Sequence, residues 1–158
     1  MIVIDLETTG LNPKKDKIIE VAALKVNRGK ILDSFVSLIN PNIRLEDMRF
    51  LNQDISDKDL KKAPFFKEIS GDLFNFLKGN RIIGYNVSFD KRFLVANDRK
   101  FDCLEYFDYL KFVKGLDYEL ENYKLQTVVN HFGIQKKPTH RALADAESLL
   151  GLIRILGT

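Results

Sequence analysis

Residues 1–10 read MIVIDLETTG, a nearly unbroken apolar run that is interrupted by two acidic residues. Such a run is typical of a central strand that is buried on both faces of a sheet. Asp5 and Glu7 are two residues apart, so the alternation of side chains along a strand places both carboxylates on the same face. Burying a charge is costly unless a partner neutralises it, and two carboxylates cannot neutralise each other. The pair therefore indicates either a cation site or an acidic strand end that is solvated at the edge of the sheet.

The remainder of the chain predicts an α/β domain with a mixed sheet. Further strands are expected over residues 18–27, 31–39, 81–85 and 101–103, and the first two of these are joined by a hairpin at 27–30. Helices are expected as short pieces over 44–62, then over 64–79, from Ser88 onward, over 104–114, over about 125–133 and over 141–156. The expected helix starts include Ser56, Pro64 and Ser88. Three consecutive strands followed by strands that alternate with helices are typical of the α/β class.

Two further aspartates occupy the apolar faces of predicted helices. Asp90 lies three and four residues before Phe93 and Leu94, so its carboxylate points toward the core side of its helix. Asp145 heads an apolar stripe that continues at Leu149. Each aspartate alone is also explained by the preference of a helix N-terminus for negative charge. Three separate elements that each direct an acid toward the interior favour one shared site.

Four converging carboxylates would require cations. Two like charges about 5 Å apart repel by roughly 3 kcal/mol at an effective dielectric constant near 20. Hard oxygen ligands favour Mg²⁺ or Mn²⁺ over zinc. A pair of such ions can hold the attacking and leaving oxygens of a displacement at phosphorus, which is the chemistry of phosphodiester cleavage.

His140 lies five residues before Asp145, in the predicted loop that precedes the last helix. An imidazole titrates near neutral pH, so a histidine in this place suits a general base that takes a proton from an attacking water. The alternative is an ordinary surface histidine. The other histidine, His131, fits that alternative at a predicted helix C-terminus and is assigned no function.

Composition sets broad limits on the class of protein. The 158 residues suit one domain, residues 1–158, and the net charge of +3 is weak support for a polyanionic partner. The basic residues Lys136, Lys137 and Arg141 flank the predicted histidine and are the best candidates to contact phosphates. The start of the chain does not read as a leader peptide, no apolar run is long enough to span a membrane, and there is one cysteine, Cys103. These features predict a cytoplasmic protein without a membrane segment or an internal disulfide.

Four ordered motifs now identify a resemblance. Residues 5–11 (DLETTGL), 18–21 (IIEV), 86–90 (NVSFD) and 140–145 (HRALAD) resemble the DEDDh branch of the DnaQ-like 3′–5′ exonucleases. Within that family the chain is similar to the proofreading epsilon subunit of bacterial DNA polymerase III and to the exonuclease domain of PolC-type polymerases. A single D-x-E is weak, whereas the ordered set is specific, and the resemblance extends from residue 1 to about residue 156.

The resemblance implies a ribonuclease-H-like α/β fold with a mixed five-stranded sheet flanked by helices. It implies that two Mg²⁺ or Mn²⁺ ions are bound by Asp5, Glu7, Asp90 and Asp145, and that His140 is the general base. The products would be nucleoside 5′-monophosphates. It also implies a substrate pocket formed by Thr8, Thr9, Leu11, Tyr85, Asn86, Phe89 and Arg141.

The sequence departs from the family in that pocket. Many members carry His-Asn where this chain has Tyr85-Asn86, and His-Gly-Ile where it has Gln53-Asp54-Ile55.

The first hypothesis is a proofreading or repair exonuclease that acts on a single-stranded or frayed 3′ end, prefers DNA over RNA and works with a DNA polymerase. One alternative is an exoribonuclease or an enzyme that trims oligonucleotides. Another is a non-catalytic nucleic-acid-binding module, although all five chemical positions are filled. A freestanding enzyme, a small subunit and an excised domain all remain open.

Overall fold

The computed structural model describes residues 1–43, 55–135 and 140–158, and it contains one mixed five-stranded sheet. The strands are β1 (Ile2–Thr8), β2 (Ile18–Asn27), β3 (Lys30–Leu38), β4 (Ile82–Gly84) and β5 (Tyr106–Asp108). Their spatial order is β3-β2-β1-β4-β5. β1, β2 and β3 pair antiparallel, whereas β4 and β5 run parallel to β1. The predicted fold class and sheet are therefore confirmed.

Six α-helices flank this sheet within the described residues. They are α1 (Asp57–Lys62), α2 (Phe66–Leu77), α3 (Ser88–Asn97), α4 (Tyr109–Gly115), α5 (Leu125–His131) and α6 (Ala142–Leu156). A bilayer-spanning helix is not found in the part of the chain that the structure describes.

The alternation of side chains along β1 divides the core into two layers. Ile2, Ile4 and Leu6 pack into the layer that includes residues of α2 and α3, whereas Val3 packs into the layer built with α4, α5 and α6. Asp5 and Glu7 have the same parity as Val3, so they lie on the face of the sheet that α6 covers. The layering therefore brings the two acids of β1 toward the helix that carries Asp145.

The fifth strand is not where the sequence pattern predicted it. Residues 99–103 form a short 3₁₀ helix that begins after Asp98, whose side chain accepts a hydrogen bond from the backbone N–H of Lys100. Phe101 is fully buried against aromatic side chains of α2, and this packing explains the apolar signal that suggested a strand at 101–103. The strand follows at Tyr106–Asp108, so the helix predicted over 104–114 begins later, at Tyr109.

The predicted helix starts have mixed outcomes. Ser56 does cap α1, because its Oγ accepts a hydrogen bond from the backbone N–H of Asp59 at 3.1 Å. α2 begins at Phe66 rather than at Pro64. Ser88 does not cap α3 but is its first residue, and its Oγ lies 3.4 Å from Oδ2 of Asp108. Residues 44–54 of the predicted helical pieces, and the Gln53-Asp54 part of the divergent tripeptide, lie outside the described residues.

Candidate functional site

The predicted acids come from three elements that meet at one edge of the sheet. Asp5 and Glu7 lie in the C-terminal half of β1, Asp90 in the first turn of α3 and Asp145 in the first turn of α6. Glu7, Asp145 and His140 each offer a ligand atom, and these three atoms lie within 4.8 Å of one another. The structure therefore brings the last helix and the first strand together as the sequence predicted.

The loop between β4 and α3 determines where Asp90 lies. β4 is parallel to β1, so the chain leaves both strands at the same edge of the sheet. A side chain on Gly84 would come within 2.7 Å of the Val87 side chain and 3.3 Å of the Ile4 carbonyl oxygen, so only glycine allows this close approach. Asn86 then takes the left-handed conformation, with φ of 63°, and the chain enters α3. Asp90 is consequently buried beside β1, with 4% of its surface exposed.

Burial and mutual repulsion perturb these carboxyl groups strongly. The pKa of Asp5 is raised well above its ordinary value, first by burial and then by the charges of Asp90, Asp145 and Glu7. Burial, followed by the charges of Asp145, Glu20 and Asp90, raises the pKa of Glu7 to about 8. Burial also raises the pKa of Asp90 to about 8, although hydrogen bonds from backbone N–H groups, including that of Leu6, oppose the shift.

The donor set fits a divalent cation. Burial and mutual repulsion favour the protonated forms of these carboxyl groups, and a bound cation would favour their ionised forms. Carboxylate oxygens are the ligands that hard divalent ions prefer, and the imidazole of His140 adjoins them.

These pKa shifts predict how the stability of the metal-free protein depends on pH. In the unfolded chain Glu7 and Asp90 titrate near pH 4, whereas in the folded protein they titrate near 8. The folded state therefore binds more protons between these values, so the stability that these two groups contribute is fully present below about pH 4 and is lost as the pH rises toward 8. We expect the thermal midpoint in chelator to decline from pH 5 to pH 8, and Mg²⁺ to raise it more at pH 8 than at pH 6 because protons compete with the metal.

The matched control for this experiment is Asp90→Asn, which keeps the shape of the side chain but removes one titrating group. Its thermal midpoint in chelator should decline less steeply with pH than that of the wild-type protein. Equal slopes for the two proteins, or a wild-type midpoint that rises between pH 5 and 8, would contradict the assignment.

An open cavity of about 500 Å³ adjoins the acids. It is lined by Leu6, Glu7, Thr8, Gly10, Leu11, Asp16 and Phe89. Leu11 stands at its rim with 81% of its surface exposed, and Phe89 is half-buried against Phe93, with 4.8 Å between the ring centroids. Glu7 is shared by the cavity and the ligand cluster, so a molecule in this cavity would contact the acids directly.

The threonines after Glu7 hold the loop that forms the rim. The Thr8 hydroxyl donates to the Gly10 carbonyl oxygen at 2.7 Å, and the Thr9 hydroxyl accepts from the backbone N–H of Lys17 at 2.9 Å. Gly10 is covered by the carboxylate of Asp16, which would lie 2.5 Å from an added Cβ. These contacts leave the backbone of the rim fixed beside the cavity.

The structure places three other predicted pocket residues away from the lining of this cavity. The Tyr85 hydroxyl donates to the carbonyl oxygen of Tyr123 at 2.6 Å, and Asn86 is exposed in the turn before α3. Arg141 donates from Nε and Nη2 to the carboxylate of Glu20. These contacts are structural, and a role of the three residues in substrate binding stays a prediction.

Glu20 is the residue at this site whose role the sequence reasoning missed. It is 1% exposed in β2, directly opposite Glu7 in the antiparallel ladder. The available signal was a glutamate within the buried strand segment IIEVAAL, the same kind of anomaly that singled out Asp5.

Comparison with known proteins gives a consistent result. The family model described as Exonuclease matches residues 2–153. The chain is 32% identical over 150 residues to the PolC-type DNA polymerase III of Caldanaerobacter subterraneus subsp. tengcongensis, which covers 93% of this chain and 11% of that protein. It is 34% identical over 149 residues to the PolC-type DNA polymerase III of Thermotoga maritima, and this match covers 92% of this chain and 11% of that protein. The chain thus spans about a tenth of the length of the curated relatives that it matches.

Solved structures share the fold. Exonuclease I superimposes with a TM-score of 0.81 at 17% identity, covering 98% of this chain and 40% of the other. Exonuclease X, solved in complex with 5′ overhanging duplex DNA, superimposes with a TM-score of 0.72 at 22% identity, covering 99% and 93%. E. coli exonuclease I has been solved with a dT13 oligonucleotide and in a zinc-bound form with single-stranded DNA.

Proposed function

This chain belongs to the Exonuclease family, and from that premise we propose that it removes nucleoside 5′-monophosphates one at a time from the 3′ end of DNA. The proposed catalytic unit is a single domain, residues 1–158. Its substrate is a single-stranded or frayed 3′ terminus.

One observation carries this proposal: Glu7, Asp145 and His140 offer ligand atoms that lie within 4.8 Å of one another, and Glu7 also lines an open cavity. The cavity volume of about 500 Å³ lies within the range of roughly 300–1,000 Å³ that is typical of ligand sites. The lining combines the apolar side chains of Leu11 and Phe89 with the acidic side chains of Glu7 and Asp16. This combination suits a terminal nucleoside whose scissile phosphate is directed toward the carboxylates.

We propose Asp5, Glu7, Asp90 and Asp145 as the ligands of two Mg²⁺ or Mn²⁺ ions. When bound, such ions supply positive charge that stabilises the attacking and leaving oxygens of phosphodiester hydrolysis. The protein's own contribution is to orient the reactants and to move a proton.

In this mechanism the rim of the cavity positions the strand end. Leu11 and Phe89 hold the terminal base or sugar between apolar surfaces, and Thr8, which lines the cavity, offers polar groups to the terminal nucleotide. Thr9 supports this rim through its hydrogen bond with Lys17. A ring nitrogen of His140 takes a proton from the attacking water, because the imidazole lies beside Glu7 and Asp145. Its exposed position in front of α6 lets it pass that proton on to solvent.

We propose DNA rather than RNA as the preferred substrate and a DNA polymerase as the partner. Support comes from the similarity to PolC-type DNA polymerases over 92–96% of this chain. Replication of DNA by such enzymes also makes the cytoplasm the proposed location. Trimming of RNA ends is the alternative, which a cavity that recognises a 2′-hydroxyl would favour.

The direct test uses matched DNA and RNA strands that carry a 5′ fluorophore. With Mg²⁺ or Mn²⁺ we expect a ladder that shortens from the 3′ end, faster on single-stranded or mismatched DNA ends than on paired ends or on RNA. The released products should be nucleoside 5′-monophosphates, and a chelator should stop the reaction.

A strand whose 3′ end is blocked by an inverted nucleotide is the control against internal cleavage. If neither metal supports shortening while the protein still binds the strand, the chain is a nucleic-acid-binding module. Faster shortening of RNA would replace the DNA assignment with the ribonuclease alternative.

A further inference from the structure

The carboxylate of Glu20 is buried beside the acids of the site. Glu20 lies in β2 opposite Glu7, and residues directly opposite each other in an antiparallel ladder have side chains on the same face of the sheet. Two like charges in such a pair destabilise the sheet unless a positive charge or a proton offsets their repulsion. Glu20 is nevertheless almost completely inaccessible, with 1% of its surface exposed.

Three N–H donors occupy this carboxylate. Nε of Arg141 lies 3.1 Å from Oε2, and Nη2 of Arg141 lies 2.8 Å from Oε1. The backbone N–H of Ala142, the first residue of α6, donates to Oε2 at 2.9 Å. Arg141 precedes α6 and offers no side-chain cap to that helix, so Glu20 takes the place of a cap from a strand 122 residues away.

The same contacts lead directly to the proposed catalytic groups. The carbonyl oxygen of Arg141 accepts the backbone N–H of Asp145 at 3.0 Å, which closes the first turn of α6. His140, on the other side of Arg141, has the left-handed conformation with φ of 56°, which costs a non-glycine residue free energy that contacts around it must offset. A carboxylate that fixes Arg141 and Ala142 therefore fixes the peptide groups that orient His140 and Asp145.

We propose that Glu20 is a positioning residue: through Arg141 and the first turn of α6 it sets His140 and Asp145 against Glu7, and it is not itself a metal ligand. Its oxygens are engaged by three donors, whereas Glu7, its partner across the ladder, lines the cavity and joins the ligand cluster. The proposal rests on the exonuclease function proposed above.

The main test is Glu20→Gln in the full chain. The amide retains one acceptor oxygen but presents an NH₂ group toward N–H donors. The guanidinium of Arg141 therefore loses the carboxylate to which it donates two hydrogen bonds. We expect kcat on single-stranded DNA to fall by about 10- to 100-fold and KM to change little, because groups that orient metal ligands have effects of this size. Mn²⁺ binding, followed by electron paramagnetic resonance without substrate, should weaken by a similar factor.

Arg141→Lys is the second variant, which keeps the positive charge but removes the bidentate guanidinium. It should reproduce part of the loss in kcat. The kcat of the double variant should be no lower than that of Glu20→Gln alone, because both changes break the same interaction between Glu20 and Arg141. Arg154→Gln is the matched control. Arg154 fastens the far end of α6 to the β2–β3 hairpin by donating to the Gly29 carbonyl oxygen at 2.8 Å, and its replacement should leave kcat and Mn²⁺ binding unchanged.

Three outcomes would overturn the proposal. Additive losses in the double variant would show that Glu20 and Arg141 act separately. Loss of thermal stability with kcat and Mn²⁺ affinity unchanged would make Glu20 a purely structural residue. Abolition of Mn²⁺ binding by Glu20→Gln, with Arg141→Lys unaffected, would make it a ligand. Wild-type protein that binds Mn²⁺ but shortens no strand would refute the proposed function, while the Mn²⁺ measurements would still test the positioning role.

Discussion

Asp145→Ala is expected to abolish hydrolysis without unfolding the protein. The variant removes a proposed metal ligand from the point where Glu7 and His140 meet, so the loss extends to the whole reaction rather than to one substrate contact. Stabilisation of transition-state charge by a metal is worth several kcal/mol, and each 1.36 kcal/mol is tenfold in rate, so kcat should fall by about 10³-fold or more. Single-turnover shortening of a 5′-labelled strand at saturating protein measures this change.

The same substitution should leave the metal-free protein at least as stable as the wild type. Asp145 repels Asp5 and Glu7, and relief of that repulsion offsets the loss of a favourable negative charge in the first turn of α6. Thermal unfolding in chelator measures this effect. Asp72→Ala, which removes an exposed acid from α2, is the matched control and should retain full activity. Substantial turnover by Asp145→Ala would refute the ligand assignment.

His140→Asn is expected to lower kcat by about 10²- to 10⁴-fold, the usual contribution of a general base, while KM for the strand changes little. Asparagine is the appropriate replacement because His140 has a φ of 56°, and asparagine tolerates that conformation better than alanine does. The variant thus removes the proton acceptor and keeps the backbone conformation of the residue that stands before α6. Steady-state kinetics on single-stranded DNA provides both constants.

His131→Asn is the matched control for that experiment. His131 ends α5, where it packs against Tyr118 and Phe132 and plays no part in the proposed chemistry. Its kcat should stay within about twofold of the wild-type value, as surface substitutions away from a site usually change little. A kcat for His140→Asn that matches the wild type would assign the proton transfer elsewhere, and a loss confined to KM would make His140 a binding residue.

The acids that the structure brings together could be predicted because each one interrupts the apolar pattern of its strand or helix. Asp5 interrupts an apolar strand, and Asp90 and Asp145 occupy apolar helix faces, so each anomaly is visible within a few residues. Their convergence follows from topology, since β1 and β4 are parallel and α6 packs on β1. The resemblance to a family added the order and the proposed roles of the residues.

The predictions made from the sequence were wrong or incomplete where tertiary contacts determine the local structure. The apolar residues at 101–103 suggested a strand, but Phe101 fills a core between aromatic rings of α2, and the chain there is a 3₁₀ helix. The role of Glu20 depends on partners more than 120 residues away, which no local pattern reveals. The hydrogen bond from the Tyr85 hydroxyl to the Tyr123 carbonyl oxygen is likewise a contact between distant parts of the chain, and the role of Tyr85 in the substrate pocket stays a prediction.

Because α6 packs on β1, the proposed metal site can be completed only late in the synthesis of this segment. Within this segment Asp5 is synthesised well before His140 and Asp145. A nascent chain can assemble the hairpin of β1 and β2 early, yet it holds only part of the acidic cluster until α6 has emerged and packed. The proposed metal site is therefore complete only once α6 has packed against β1.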